Sequence, residues 1–148
     1  MQEKRYRAKS TVTQGHIWVT GGETTGNNKL SNSEFIQTSN NSESIQMGNI
    51  ELPEPMSGHA VVSLNSSTCM LIGGTHNIAK THLYDHHSST WTVGPELITG
   101  RHDHAAGFIM DHITHQQHVA VVGGWHGAGF LDSLELMFHG TNKWEIGN

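Results

Sequence analysis

Three short apolar runs in this chain each stop at a pair of glycines. Ile17-Trp18-Val19-Thr20 runs into Gly21-Gly22, Cys69-Met70-Leu71-Ile72 into Gly73-Gly74, and Val119-Ala120-Val121-Val122 into Gly123-Gly124. The doublets recur about every fifty residues, a period that belongs to repeat architectures. Between them lie Gly, Asn, Ser and Pro punctuation and no helical period. The chain therefore reads as three copies of one all-β unit.

The middle copy shows the unit most clearly. Gly58 to Val62 reads as a first strand, Cys69 to Ile72 as a second, Thr81 to Asp85 as a third and Thr90 to Val93 as a fourth. Four short strands per unit is the arithmetic of a propeller blade. In the first copy, aligning Ala8 with Ala60 makes Tyr6–Val12, Ile17–Thr20, Ser33–Ile36 and Ile45–Met47 the strands. The third copy runs from Arg101, with strands at Val119–Val122, Asp132–Leu136 and Lys143–Ile146 and a longer hairpin from Asp111 to His118. The second strands are apolar on consecutive residues, as expected of strands covered on both faces. The diglycines permit backbone conformations and close approaches closed to other residues. Trp91 and Trp144 are expected to wedge between blades, and Ile45, at the same place in the first copy, offers less area.

Composition excludes several classes. The net charge is −5 with only 8 Lys and Arg, unlike the basic surfaces that bind nucleic acid. No run of 18 apolar residues is present, so no membrane span is expected. No apolar stretch backs Lys4-Arg5, so the chain is not expected to carry a signal peptide. The lone Cys69 lies in an apolar run and reads as a small buried hydrophobe. A cytoplasmic location fits these features.

The units resemble kelch repeats. Gly123-Gly124, Leu134-Glu135-Leu136 and Trp144 follow the family's diglycine, third strand and downstream Trp closely. Gly73-Gly74, Leu83-Tyr84-Asp85 and Trp91 follow it with His82 in place of Glu, and Gly21-Gly22 with Glu34-Phe35 follow it without the Trp. The resemblance covers nearly the whole chain. It implies a kelch-type β-propeller portion of three four-stranded antiparallel blades over 1–148, with blades at about 5–52, 58–97 and 102–148. It also implies that the first strand of each blade lines the axis. Closed propellers use 4–8 blades. Three blades are therefore expected to belong to a longer propeller, with closure as a homodimer of half-propellers as the alternative.

The resemblance further implies a module that presents its loops to a protein or peptide, as in substrate recognition for ubiquitin ligases or attachment to actin. The loops after strand two and the inter-blade connections share one face in such a fold. Contacts are expected from Asn27, Asn28, His76, Asn77, Arg101, His102, Trp125 and His126. Trp125 is the sharpest of these, because Trp is enriched in interaction hot spots. Its plainer role would be to fold over the blade edge.

Catalysis and metal binding are the rival readings. Thirteen His invite a metal, and His112, His115 and His118 share a hairpin while His102 and His104 are expected to alternate along one strand. None has the paired spacing of a zinc motif. A copper oxidase of kelch-like fold would need Tyr and His ligands and a Cys joined to a Tyr, against Tyr6, Tyr84 and Cys69 here. Cys69 beside His59 as a nucleophile would have its thiol deadened by apolar burial. No cofactor and no enzyme activity are expected.

Overall fold

The computed structural model describes residues 3–38, 44–46, 49–75, 79–127 and 129–147. Every regular element among them is a β-strand. β1 (Lys9–Thr13), β2 (His16–Thr20), β3 (Ser33–Thr38) and β4 (Ser44–Gln46) form the first sheet. β5 (Ala60–Ser63), β6 (Thr68–Ile72), β7 (Thr81–Asp85) and β8 (Thr90–Val93) form the second. β9 (Ala105–Met110) and β10 (Gln117–Val122) are followed by two short strands, β11 (Trp125–His126) and β12 (Gly129–Phe130). β13 (Leu134–Met137) and β14 (Trp144–Gly147) then complete the third sheet. Each four-stranded sheet is antiparallel in sequence order, and β5 lies between β1 and β9. The all-β architecture expected from the repeats, successive four-stranded blades with neighbouring first strands, is the one observed.

Alternation along β6 explains why its residues are apolar without a break. Cys69 and Leu71 face the first sheet, packing with Trp18, Leu52, Met56 and Tyr84. Met70 and Ile72 face the third, packing with Val119, Val121 and Trp144. All four β6 residues are fully buried, and each large aliphatic side chain so placed contributes about 2 kcal/mol. Trp91 and Trp144 are the expected wedges. The Trp91 indole donates to the Glu51 carbonyl at 2.9 Å, and the Trp144 indole to the Pro95 carbonyl at 3.0 Å.

The diglycines join neighbouring sheets. Gly22 N–H donates to the Met56 carbonyl and Gly74 N–H to the Arg101 carbonyl, both at 2.9 Å. Gly21 has φ +53°, and a Cβ there would stand 2.3 Å from the Met56 carbonyl oxygen. A second link joins the same sheets: Gly58 N–H donates to Arg7 O at 3.2 Å, and Asp103 N–H to Gly58 O at 2.7 Å. Arg7, Gly58 and Asp103 are equivalent, and all are left-handed with φ of 55°, 61° and 54°.

That left-handed residue corrects the expected first strands. Tyr6–Val12 begins as an isolated bridge from Tyr6 to Glu23, turns at Arg7 and becomes a strand only at Lys9. The strand expected from Gly58 starts at Ala60, and the third copy's first strand starts at Ala105, not Arg101. The register also corrects the alignment: Lys9, not Ala8, is the counterpart of Ala60. The β1–β2 hairpin is one residue shorter because Gln14 and Gly15, φ 50° and 75°, close it as a two-residue turn. The fourth strand of the first copy is displaced by one residue to Ser44–Gln46, and Met47 lies outside the described residues. Strands expected at Asp132–Leu136 and Lys143–Ile146 run Leu134–Met137 and Trp144–Gly147.

Two repeats share a buried ion-pair lock that the sequence alone does not announce. Arg5 donates to the Gly21 carbonyl at 2.8 Å and to Glu34 Oε1 at 2.5 Å. Arg101 donates to the Gly123 carbonyl at 2.9 Å, to Ser133 O at 3.1 Å and to Glu135 Oε1 at 2.7 Å. Glu135 also accepts from the Ile98 and Thr99 backbone N–H groups. In the middle repeat Met56 and His82 occupy the two positions, and His82 turns to Glu54 at 3.1 Å.

Candidate binding face

The loops that follow the diglycines gather polar and aromatic groups at one end of the sheets. On the third repeat, β11 and β12 fold the segment after Gly124 into a small hairpin where a plain loop was expected. Trp125 also bridges backbone-to-backbone with His102, at 2.8 and 3.0 Å. Its indole meets Phe130 edge to face, with ring centroids 4.8 Å apart. Trp125 is 37% exposed and Phe130 88% exposed. Together with His102, Asp103, Gly124 and Leu131 they line a cavity of about 330 Å³.

A polar network spans the repeats beside it. Arg7 forms an ion pair with Asp103 and reaches Glu23 Oε1 at 3.1 Å. Gly58 sits beneath this pair, and a Cβ there would stand 2.8 Å from both the Arg7 guanidinium and the Asp103 carboxylate. Ser57 donates to Glu23 Oε1, and the Tyr6 hydroxyl donates to Glu23 Oε2 at 2.7 Å. Burial pushes the Glu23 carboxyl upward, but the Ser57 and Tyr6 hydrogen bonds and the Arg7 charge outweigh it and hold it below the usual carboxylate range. The Tyr6 phenol is raised, mainly by its hydrogen bond to Glu23.

The expected contact residues divide. His102 and Trp125 meet at the cavity, and exposed His126 directs Nδ1 to the Gly100 carbonyl at 2.8 Å. Asn27 and Asn28 are exposed on the first repeat, where Asn27 Oδ1 lies 2.8 Å from the Tyr6 hydroxyl. His76 and Asn77 lie outside the described residues. Arg101 is corrected: it is fully buried, its guanidinium is consumed by the lock with Glu135, and it offers nothing at the surface. Asp103, Phe130 and Arg7 were missed. Phe130, in the glycine-rich turn Gly127–Phe130, carried a signal in the sequence, since a large aromatic there has little to pack against.

The histidines have other duties. The Thr20 hydroxyl donates to the Lys9 carbonyl at 3.3 Å, leaving its oxygen to accept from His59 Nε2 at 2.8 Å. His104 is the counterpart of His59, but Ile72 stands where Thr20 would be needed, and both His104 ring nitrogens are buried without a partner. His102 and His104 do not alternate along one strand, because Asp103 turns the chain between them. In the longer hairpin His112 and His115 are exposed and His118 is buried, accepting from His139 N–H at 2.9 Å. Among the described residues no group of three or more His, Cys, Asp or Glu converges as a metal site. Cys69 does not meet His59. Its sulfur lies 3.5 Å from His86 Nε2, and burial raises its thiol pKa.

Burial holds His59 at a pKa of about 3 and His104 at about 4. Both lie below the ordinary 6.5, so the unfolded chain binds these protons first as pH falls. The stabilisation is complete above about pH 6.5 and is lost progressively as pH falls toward about 4 for His104 and about 3 for His59. The midpoint of urea unfolding is expected to fall over that range, and His104→Leu should flatten the fall.

The fold and the face thus describe a stack of diglycine-terminated blades with loops gathered at one end. No family model matches the chain. Kelch-like protein 41a of Danio rerio is 33% identical over 99 residues, covering 65% of this chain. The chain spans 16% of the length of that relative. The repeats resemble part of a kelch-like protein.

Proposed function

We propose that this chain is a protein-interaction module, a kelch-type propeller portion that binds a peptide or protein through the face carrying Trp125 and Phe130. The observation that carries this reading is the exposed aromatic pair held over a cavity by a dedicated hairpin. Exposed aromatics cost solvation unless a partner covers them, and such residues dominate interface energetics. His102 lines the same cavity, and His126, Asn27 and Asn28 are exposed polar groups offered as further contacts, with His76 and Asn77 as additional candidates. Substrate recognition and cytoskeletal scaffolding are the roles such a face serves, acting by binding without a cofactor.

The test is capture of partners from lysate by the chain and by Trp125→Ala, Phe130→Ala and Val93→Ser variants. Trp125→Ala is expected to lower affinity for a captured partner by at least tenfold, about 1.4 kcal/mol, with an unchanged unfolding midpoint. Val93→Ser, at an exposed apolar position away from the cavity, should change nothing. Equal capture by all variants would remove the proposal.

A further inference from the structure

We infer that the junction between the second and third sheets carries a binding site for an uncharged aromatic ring, at the end of β10 remote from its diglycine. A cavity of about 510 Å³ opens there, with Leu64 and Asn65 on the second sheet and Phe108, Val119, Met137 and Phe138 on the third. Both walls lie within residues 64–141.

The first junction shows what such a space is shaped to hold. Strand register makes Met70 the counterpart of Trp18, Leu83 of Phe35, Val119 of Cys69 and Met137 of Tyr84. At the first junction Trp18 stacks on Phe35 with ring centroids 5.6 Å apart. His86 lies edge-on to Trp18 at 5.4 Å and to Tyr84 at 4.8 Å, over Cys69, whose Sγ is 3.5 Å from its Nε2. The second junction has Met70, Leu83 and Met137 in place of the three larger rings. The counterpart of His86 is His139, and it is exposed. His86 N–H donates to the Ser67 carbonyl at 2.8 Å, whereas His139 N–H donates to His118 Nδ1 at 2.9 Å. His118 alternates with Val119 along β10 and faces away from the second sheet, so the turn is drawn to that side and no imidazole covers Val119. At the first junction the cavity left at this end, beside Phe35, Tyr84 and His86, is about 270 Å³. The second junction is therefore the same slot without its rings.

The lining fits such a ring. Leu64, Val119 and Met137 belong to the apolar cluster of this junction, and Phe108 is 40% exposed at the wall. The Met137 thioether favours aromatic contact. Among the described residues lining the cavity none is Asp, Glu, Lys or Arg, so a charged ligand would lose solvation without a counter-ion. The rim offers the exposed Gln116 and Gln117 amides. It also offers the amide N–H groups of Asn65, whose Oδ1 is held by Ser67 and Thr68. An aliphatic cavity of about 150 Å³ accepts benzene. The space here falls in the range of ligand pockets and admits a fused two-ring molecule with a polar arm.

Indole and an end-capped tripeptide with a central tryptophan are the probes, distinguishing a free molecule from a ring presented by a polypeptide. Calorimetric titration of the intact chain is expected to show one site for at least one of them, with a Kd of about 1 mM or tighter. Indole carboxylate and tryptamine should bind at least tenfold more weakly than indole. Met137→Tyr installs the first junction's residue and should weaken binding at least tenfold, with the urea midpoint unchanged or higher. Phe108→Ala removes an exposed wall and should weaken binding without unfolding the chain. Failure of both probes to bind overturns the inference. So does binding that a folded Met137→Tyr and Phe108→Ala leave unaltered, or equal binding of the charged analogues. Trp125 lies past the other end of β10, so partner capture there can fail or succeed independently.

Discussion

Arg101→Met is expected to destabilise the chain by about 3–5 kcal/mol, because it strands the Glu135 carboxylate in a site with no access to water. Coulomb attraction is not the main issue. The guanidinium also satisfies the Gly123 and Ser133 carbonyls, and all of these acceptors lose a donor together. The middle repeat shows how the same positions are occupied without the Arg–Glu pair, with Met56 and His82 replacing both partners. Arg101→Met combined with Glu135→His should therefore lose less stability than Arg101→Met alone. Urea unfolding of the two singles and the double gives the coupling directly. Additive losses would show that the two side chains do not act as a unit.

Gly21→Ala should be far more damaging than Gly123→Ala, although the glycines are equivalent and share nearly the same φ. Both substitutions force alanine into the left-handed region, which costs about 1 kcal/mol. Only at Gly21 does the new methyl run into backbone of the neighbouring sheet, at 2.3 Å from the Met56 carbonyl. Relief requires the first and second sheets to part, which opens the cluster around Trp18, Leu71 and Tyr84. A loss of about 3 kcal/mol or more is expected there, of the size that follows core disruption. A Cβ at Gly123 would meet nothing nearer than Leu131 O at 3.5 Å, so Gly123→Ala should lose only about 1 kcal/mol.

How much of this was legible in the sequence depends on where each interaction lies. The diglycines, the β6 run and the wedging Trp91 and Trp144 are local patterns repeated in register, and they placed the strands to within a few residues. The Arg5–Glu34 and Arg101–Glu135 locks join residues 29 and 34 positions apart. Nothing in a charged residue's own neighbourhood tells a buried partner from a solvated one, so Arg101 was assigned to the surface. The left-handed turn at Arg7, Gly58 and Asp103 was hidden for another reason. Only one of the three is glycine, and the one-residue misalignment of Ala8 concealed their equivalence. Trp125 was readable because an aromatic after a diglycine leaves the strand pattern. Phe130 became its partner only through the hairpin that pairs Trp125 with it.

The ion pair from Arg7 to Asp103 passes over Gly58 and ties the first repeat to the third across 96 positions. Stacked-repeat proteins are ordinarily treated as linear arrays whose stability sums intrinsic and adjacent-pair energies. A tie that skips a unit breaks that rule: the free energy of the end repeats then depends on each other as well as on the one between them.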